Sequence, residues 1–144
     1  MAGSKTILFI EDDPFVVDMY THALQKAGYT VEIAYDGKKG LEAAQAGTHD
    51  MILLDIMVPE MTGIEVLEKL RGKNKVGDGL PNTKIVILTN LAQDDESRRA
   101  IEAEADGYLI KADITPKKLV ELLEPIINEP PETPAPNANQ SPNI

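Results

Sequence analysis

Five polar residues, Glu11, Asp12, Asp55, Thr89 and Lys111, share one placement: each ends a short apolar run or follows it within two residues. In an open parallel α/β sheet the carboxyl ends of all strands lie along one edge, and ligands bind there at the topological switch point. Four separated stretches would then bring three carboxylates, a hydroxyl and an ammonium to one patch. Carboxylates so grouped repel, raise one another's pKa and invite a cation. Oxygen donors without His or Cys select a hard ion, and Mg²⁺ accepts one or two carboxylates while keeping waters and a phosphoryl oxygen. The lysine supplies a point charge for a phosphoryl group and the threonine hydroxyl a hydrogen bond. Carboxylates form acyl phosphates once a metal neutralises the transferring group. Asp55 is the candidate nucleophile: it ends the run expected to be the central strand, and the loop 56–61 holds it in the open. The chemistry expected is metal-assisted phosphoryl transfer onto Asp55.

The elements that must position these groups are legible as period and punctuation. Apolar runs occur at 6–10, 30–34, 51–54, 84–89 and 107–110. Four are near-continuous, as expected of parallel strands buried on both faces, while the second (TVEIA) alternates and suits an edge strand. Between them Val16, Val17, Tyr20, Ala23, Leu24 and Ala27 recur at helical spacing, with Gly28 at the stop position. Leu41 and Ala44 mark a second helix, Ile64, Leu67 and Leu70 a third, Ala100, Ile101 and Ala105 a weaker fourth. Leu119, Leu122, Leu123 and Ile126 mark a fifth. Asp13-Pro14 and Thr115-Pro116 each set a capping oxygen before a proline at the first helical position. Pro125 is expected to kink or end the last helix. Strands alternating with helices imply βαβ units and a parallel sheet covered on both faces. The connection 72–83 is long and rich in Gly, Lys and Asn, which predicts mobility.

Composition narrows the function. The chain has 144 residues, enough for one domain, with 42% hydrophobic and 26% charged residues. Acids outnumber bases 24 to 14, a net charge of -10 that argues against direct nucleic-acid or anionic-membrane binding. Without cysteine, disulfides, thiolate metal sites and a cysteine nucleophile are excluded, and two histidines make a structural zinc site a poor fit. No apolar run approaches membrane-spanning length and no signal-peptide pattern precedes Glu11, so a cytoplasmic protein is expected. From Glu129 the composition turns to Pro, Asn, Thr and Ser, which cannot offset ordering entropy by burial. The expected organisation is a domain over 1–128 and a disordered Pro-rich tail or shortened linker over 129–144.

With these residues in view, the chain resembles the receiver domains of two-component response regulators, including the single-domain chemotaxis regulator. The likeness rests on ILFIEDDPF with Glu11 and Asp12, on ILLDIMVPEMTG with Asp55, Pro59, Met61 and Gly63, on KIVILTN with Thr89, and on ADGYLIKA with Tyr108 and Lys111. The resemblance implies a doubly wound (βα)5 flavodoxin-like fold, a five-stranded parallel sheet in the order 2-1-3-4-5 flanked by five helices. It implies that Glu11, Asp12, Asp55 and the Met57 carbonyl bind Mg²⁺, and that Asp55 takes a phosphoryl group from a histidine kinase or phosphotransfer protein. Lys111 would contact the phosphoryl oxygens, Thr89 would swing toward them, and Tyr108 would move from outward to inward. The remodelled surface of the fourth helix, fifth strand and fifth helix would dock a downstream protein, a population shift between two existing states. Such a domain catalyses its own phosphorylation and, slowly, its dephosphorylation.

Three positions depart from the family pattern. Ala112 follows Lys111 where a proline in a cis peptide is usual; a cis bond before a non-proline costs about 2.5–4 kcal/mol, so a trans peptide is expected. Asn90 stands where a small residue usually follows the threonine, which leaves the phosphoryl lifetime open. Glu104 replaces a glycine, at a cost of about 1 kcal/mol if its backbone is left-handed.

Simpler roles compete at several residues. Asp13 reads as a cap for the first helix, and Pro59 and Gly63 as loop formers. His22 and His49 read as surface residues, as do Lys38, Lys39, Lys117 and Lys118. Two other functions compete with the phospho-switch. A phosphorylation-independent receiver-like binding module would draw support only from Asn90 and Ala112. An aspartyl-phosphate hydrolase usually carries a second Asp two residues after the nucleophile, and that place is Met57. Room for an output domain is lacking after Asn128, which favours a standalone regulator or relay shuttle unless the tail is a linker.

Overall fold

The computed structural model describes residues 5–90 and 95–130. The strands are β1 (Thr6–Ile10), β2 (Thr30–Ala34), β3 (Met51–Asp55), β4 (Lys84–Thr89) and β5 (Gly107–Ile110). They alternate with α1 (Pro14–Lys26), α2 (Gly37–Ala46), α3 (Gly63–Arg71), α4 (Asp95–Glu104) and α5 (Pro116–Ile127), and a 3₁₀ turn (Lys111–Asp113) precedes α5. All pairings are parallel, in the order β2-β1-β3-β4-β5. This is the doubly wound topology expected, with β3 central.

Successive side chains of a strand point to opposite faces, so each inner strand feeds two cores. Leu8, Ile10, Ile52, Leu54, Ile85 and Ile87 pack with Val66, Leu67 and Leu70 of α3, Ala44 of α2 and Ile101 of α4. Ile7, Phe9, Met51, Leu53, Val86 and Leu88 pack with Val17, Tyr20 and Leu24 of α1 and Leu119, Leu123 and Ile127 of α5. Burial on both faces explains why β1, β3 and β4 lack alternation. β2 alternates in exposure as an edge strand should. The fifth run departs from its expected full burial: β5 is the other edge, only partly covered.

The caps follow the sequence signals. Asp13 accepts from the Phe15 N–H and Thr115 from the Lys118 N–H, each ahead of a proline in the first turn. Gly28 has φ 103°, the left-handed stop after α1. Thr62 and Glu65 form a reciprocal capping box at α3. Glu104 is not left-handed, so its substitution for glycine carries no such penalty. Pro125 does not end α5, which runs on to Ile127. Among the described residues no peptide is cis, including that of Ala112.

One expectation is corrected. His49 is not a surface residue: its side chain is 3% exposed and its Nε2 lies 2.7 Å from Glu32 Oε1. Gly47 leaves it room, since an added Cβ there would meet the ring at 2.9 Å. The last part of the connection 72–83 is bonded to Arg71, whose guanidinium donates to the carbonyls of Gly79, Leu80, Thr83 and Glu104 and to Asp106 Oδ2. That fork uses the five donors of an arginine to supply order that the loop's own composition lacks.

Candidate functional site

The carboxyl end of β1 brings Glu11 to the edge and the end of β3 brings Asp55. Their placement follows from strand register, in which Ile10 pairs with Leu54. Glu11 and Asp55 are buried, at 1% and 3% exposure, and Asp12 is exposed. Carboxylate oxygens of Glu11, Asp12 and Asp55 all lie within 4.8 Å of one another. Lys111, just past β5, reaches across: its Nζ is 2.9 Å from Glu11 Oε1 and 3.1 Å from Asp55 Oδ2. Asp55 Oδ1 accepts from the Met57 N–H at 3.1 Å, and Glu11 Oε2 from the Asp13 N–H at 3.1 Å.

The loop after Asp55 is held by close backbone contacts. The Gly63 N–H donates to the Ile56 carbonyl at 2.8 Å. The Pro59 carbonyl accepts from both Gly37 and Met61, the latter across Glu60 at φ 71°. A γ-turn of that hand is strained for an L-residue.

Burial dominates the electrostatics of Glu11 and pushes its pKa up to about 7; Lys111 opposes this and Asp55 adds to it. For Lys111 burial alone would lower the pKa, but the Glu11 and Asp55 carboxylates outweigh it and leave the ammonium firmly charged. With all groups ionised the cluster keeps an excess of negative charge beside one lysine. The donor set is all oxygen, clustered and partly open through Asp12, which fits a hard divalent cation.

Thr89 ends β4 one residue beyond the partner of Asp55 and is fully buried. Tyr108 pairs with Ile87 in the sheet and is 51% exposed, the outward position. The structure thus gathers Glu11, Asp12, Asp55, Lys111 and the Met57 N–H. Asn90 is exposed directly after Thr89. Met57 is 69% exposed, so its side chain projects away from the core at the mouth of the site. Sequence reasoning placed Tyr20 only in the α1 core stripe, although a buried tyrosine hydroxyl ordinarily needs a partner; it donates to the Ile114 carbonyl at 2.8 Å.

A flavodoxin-like α/β domain with a lysine-bridged acidic cluster at its switch point is the class that fold and site define. The response regulator receiver domain family matches residues 7–124. The response regulator MprA of Mycobacterium ulcerans is 40% identical over 122 residues, covering 83% of this chain and 47% of that protein. The chain spans less than half the length of the curated relatives it matches. A CheY-like receiver domain protein from Methanospirillum hungatei superposes with TM-score 0.74 at 30% identity, over 88% of this chain and 95% of that one. The response regulator TrrA from Thermotoga maritima, solved in complex with Mg(2+)-BeF, gives TM-score 0.66 at 30% identity, over 85% and 96%. The chain belongs to the response regulator receiver domain family of two-component systems.

Proposed function

We propose that this chain is a phospho-accepting receiver in which Asp55 takes a phosphoryl group from the phosphohistidine of a histidine kinase or phosphotransfer protein. One observation carries the reading: Lys111 Nζ stands within 3.1 Å of Asp55 and 2.9 Å of Glu11, at the edge where three carboxylates converge. An Asp55 oxygen forms the new O–P bond as the N–P bond of the donor breaks, and the imidazole leaves with that electron pair. Glu11, Asp12, Asp55 and the Met57 carbonyl would hold Mg²⁺, which when bound neutralises the phosphoryl oxygens. The Mg(2+)-BeF complex of the Thermotoga relative supports this assignment. Lys111 exchanges its Asp55 contact for the phosphoryl oxygens, Thr89 supplies a hydroxyl, and Tyr108 turns inward from its exposed position.

The output face is α4, β5 and α5, where a downstream protein docks once the phosphorylated state is favoured. We assign residues 1–128 to the receiver unit; the tail or linker expected over 129–144 lies, from residue 131 on, outside the described residues. A cytoplasmic location accords with a kinase-fed switch, and none of the described helices is long and apolar enough to cross a membrane.

The test is intact mass after incubation with acetyl phosphate, with Mg²⁺ or with EDTA, beside Asp55→Asn. Gain of one phosphoryl group that requires Mg²⁺ and is lost in Asp55→Asn is expected. Failure to gain it from acetyl phosphate and from phosphorylated kinase alike would overturn the reading in favour of a phosphate-independent binding module.

A further inference from the structure

Tyr20 is 2% exposed on the inner face of α1, and its hydroxyl crosses 94 residues of sequence to donate to the Ile114 carbonyl at 2.8 Å. Ile114 closes the turn that begins at Lys111, its N–H donating to the Lys111 carbonyl at 3.1 Å. Two hydrogen bonds therefore run from the tyrosine hydroxyl through the Ile114 backbone to the Lys111 backbone. The turn between them contains Ala112, an exposed residue with no ring to stiffen it. The aromatic ring is itself fixed against Phe9, centroids 6.4 Å apart with planes tilted by 42°. Phe9 lies in β1 two residues before Glu11. One side chain thus ties the strand that leads into Glu11 to the turn that starts with Lys111.

Packing alone would be satisfied by phenylalanine. The hydroxyl adds a donor to a carbonyl that would otherwise have to find one at the half-buried start of α5, and a buried polar group is expensive to leave unmatched. Burial raises the Tyr20 pKa; Lys111 works against this and Glu11 with it, so the phenol stays a donor across the working pH range.

We propose that Tyr20 is a positioning residue for Lys111, its hydroxyl holding the 111–114 turn where the ammonium meets Asp55 and Glu11. The catalytic consequence rests on Asp55 being a phospho-acceptor; the positioning does not.

Tyr20→Phe removes the hydroxyl alone. The Lys111 ammonium resonance is followed by NMR in lysine-labelled protein and assigned by its loss in Lys111→Met. In Tyr20→Phe that resonance should shift and its protons exchange faster with water. The rate of Asp55 phosphorylation by acetyl phosphate should fall about three- to tenfold, and Tyr20→Phe should add nothing in a Lys111→Met background. Val17→Ala, which weakens the same α1 core at a buried residue outside this relay, should leave the Lys111 resonance in place. A Lys111 resonance unmoved by Tyr20→Phe, or moved equally by Val17→Ala, would overturn the proposal. If the wild-type protein accepts no phosphoryl group, the functional reading fails, while the resonance still decides the positioning.

Discussion

Gly63 stands so close to Asp55 that a Cβ added to it would lie 2.3 Å from the Asp55 carbonyl oxygen. The first turn of α3 therefore rests directly on the backbone that presents the candidate nucleophile. Gly63→Ala cannot be absorbed by a flexible side chain, because the obstacle is main chain. It should cost roughly 2–4 kcal/mol, read as a fall in urea midpoint, and should weaken Mg²⁺ binding by displacing Asp55. An unchanged midpoint would show that α3 can slide away without penalty.

The Mg²⁺ affinity should depend on pH through Glu11. Its pKa is pushed up to about 7 in the folded protein, so below neutrality a cation must displace a proton. Apparent affinity should fall as pH drops below about 7, approaching tenfold per unit, and calorimetry in buffers of different ionisation heat should detect the released proton. The sign for metal-free stability is the opposite of the usual carboxylate case. A raised pKa means this group favours the fold most below about 4.5 and loses that contribution as pH rises through 7, on the order of 3 kcal/mol. Glu11→Gln should flatten both dependences.

A divalent cation at this cluster would compete with Lys111 for the Glu11 and Asp55 carboxylates. Lys111→Met should tighten Mg²⁺ binding several-fold, since two buried carboxylates lose their counter-ion. It should also lower stability in EDTA, with most of the loss recovered on adding Mg²⁺. Phosphorylation of Asp55 should slow in the same variant. Weaker Mg²⁺ binding would show that the lysine orders the site more than it competes for it.

Arg71→Lys preserves charge and removes the planar fork. A lysine cannot serve the carbonyls of Gly79, Leu80, Thr83 and Glu104 as well as Asp106. Stability should drop by about 2–4 kcal/mol, and amide exchange should rise across 79–84 and 104–106. Exchange confined to the exposed stretch 73–78 would mean that other contacts hold the loop.

The fold was largely legible because its signals are local or periodic. The runs of β1, β3 and β4 announce two-sided burial, and the Asp13-Pro14 and Thr115-Pro116 caps mark helix starts that the structure reproduces. The acidic cluster was legible for a topological reason: parallel strands put every carboxyl end on one edge. What escaped depends on partners distant in sequence. His49 offers no pattern until β2 brings Glu32 against it. Arg71 follows the α3 stripe with no local pattern to mark it, and only the fold brings the loop and α4–β5 carbonyls against it. The relay from Tyr20 to Lys111 spans the two ends of the domain, and only the packing of α1 beside α5 creates it. The β5 edge was misread because GYLI has the composition of a covered strand and only its place in the sheet decides its exposure.

The two outermost strands have a bearing on colloidal behaviour. Open edges expose unpaired backbone groups that template the addition of further strands. Here β2 carries Glu32 at its midpoint, more than half exposed although bonded to His49. β5 is only four residues long and is bracketed by Asp106 and Lys111. Charge on one rim and brevity on the other make both poor templates, so the sheet guards itself against polymerising edge to edge.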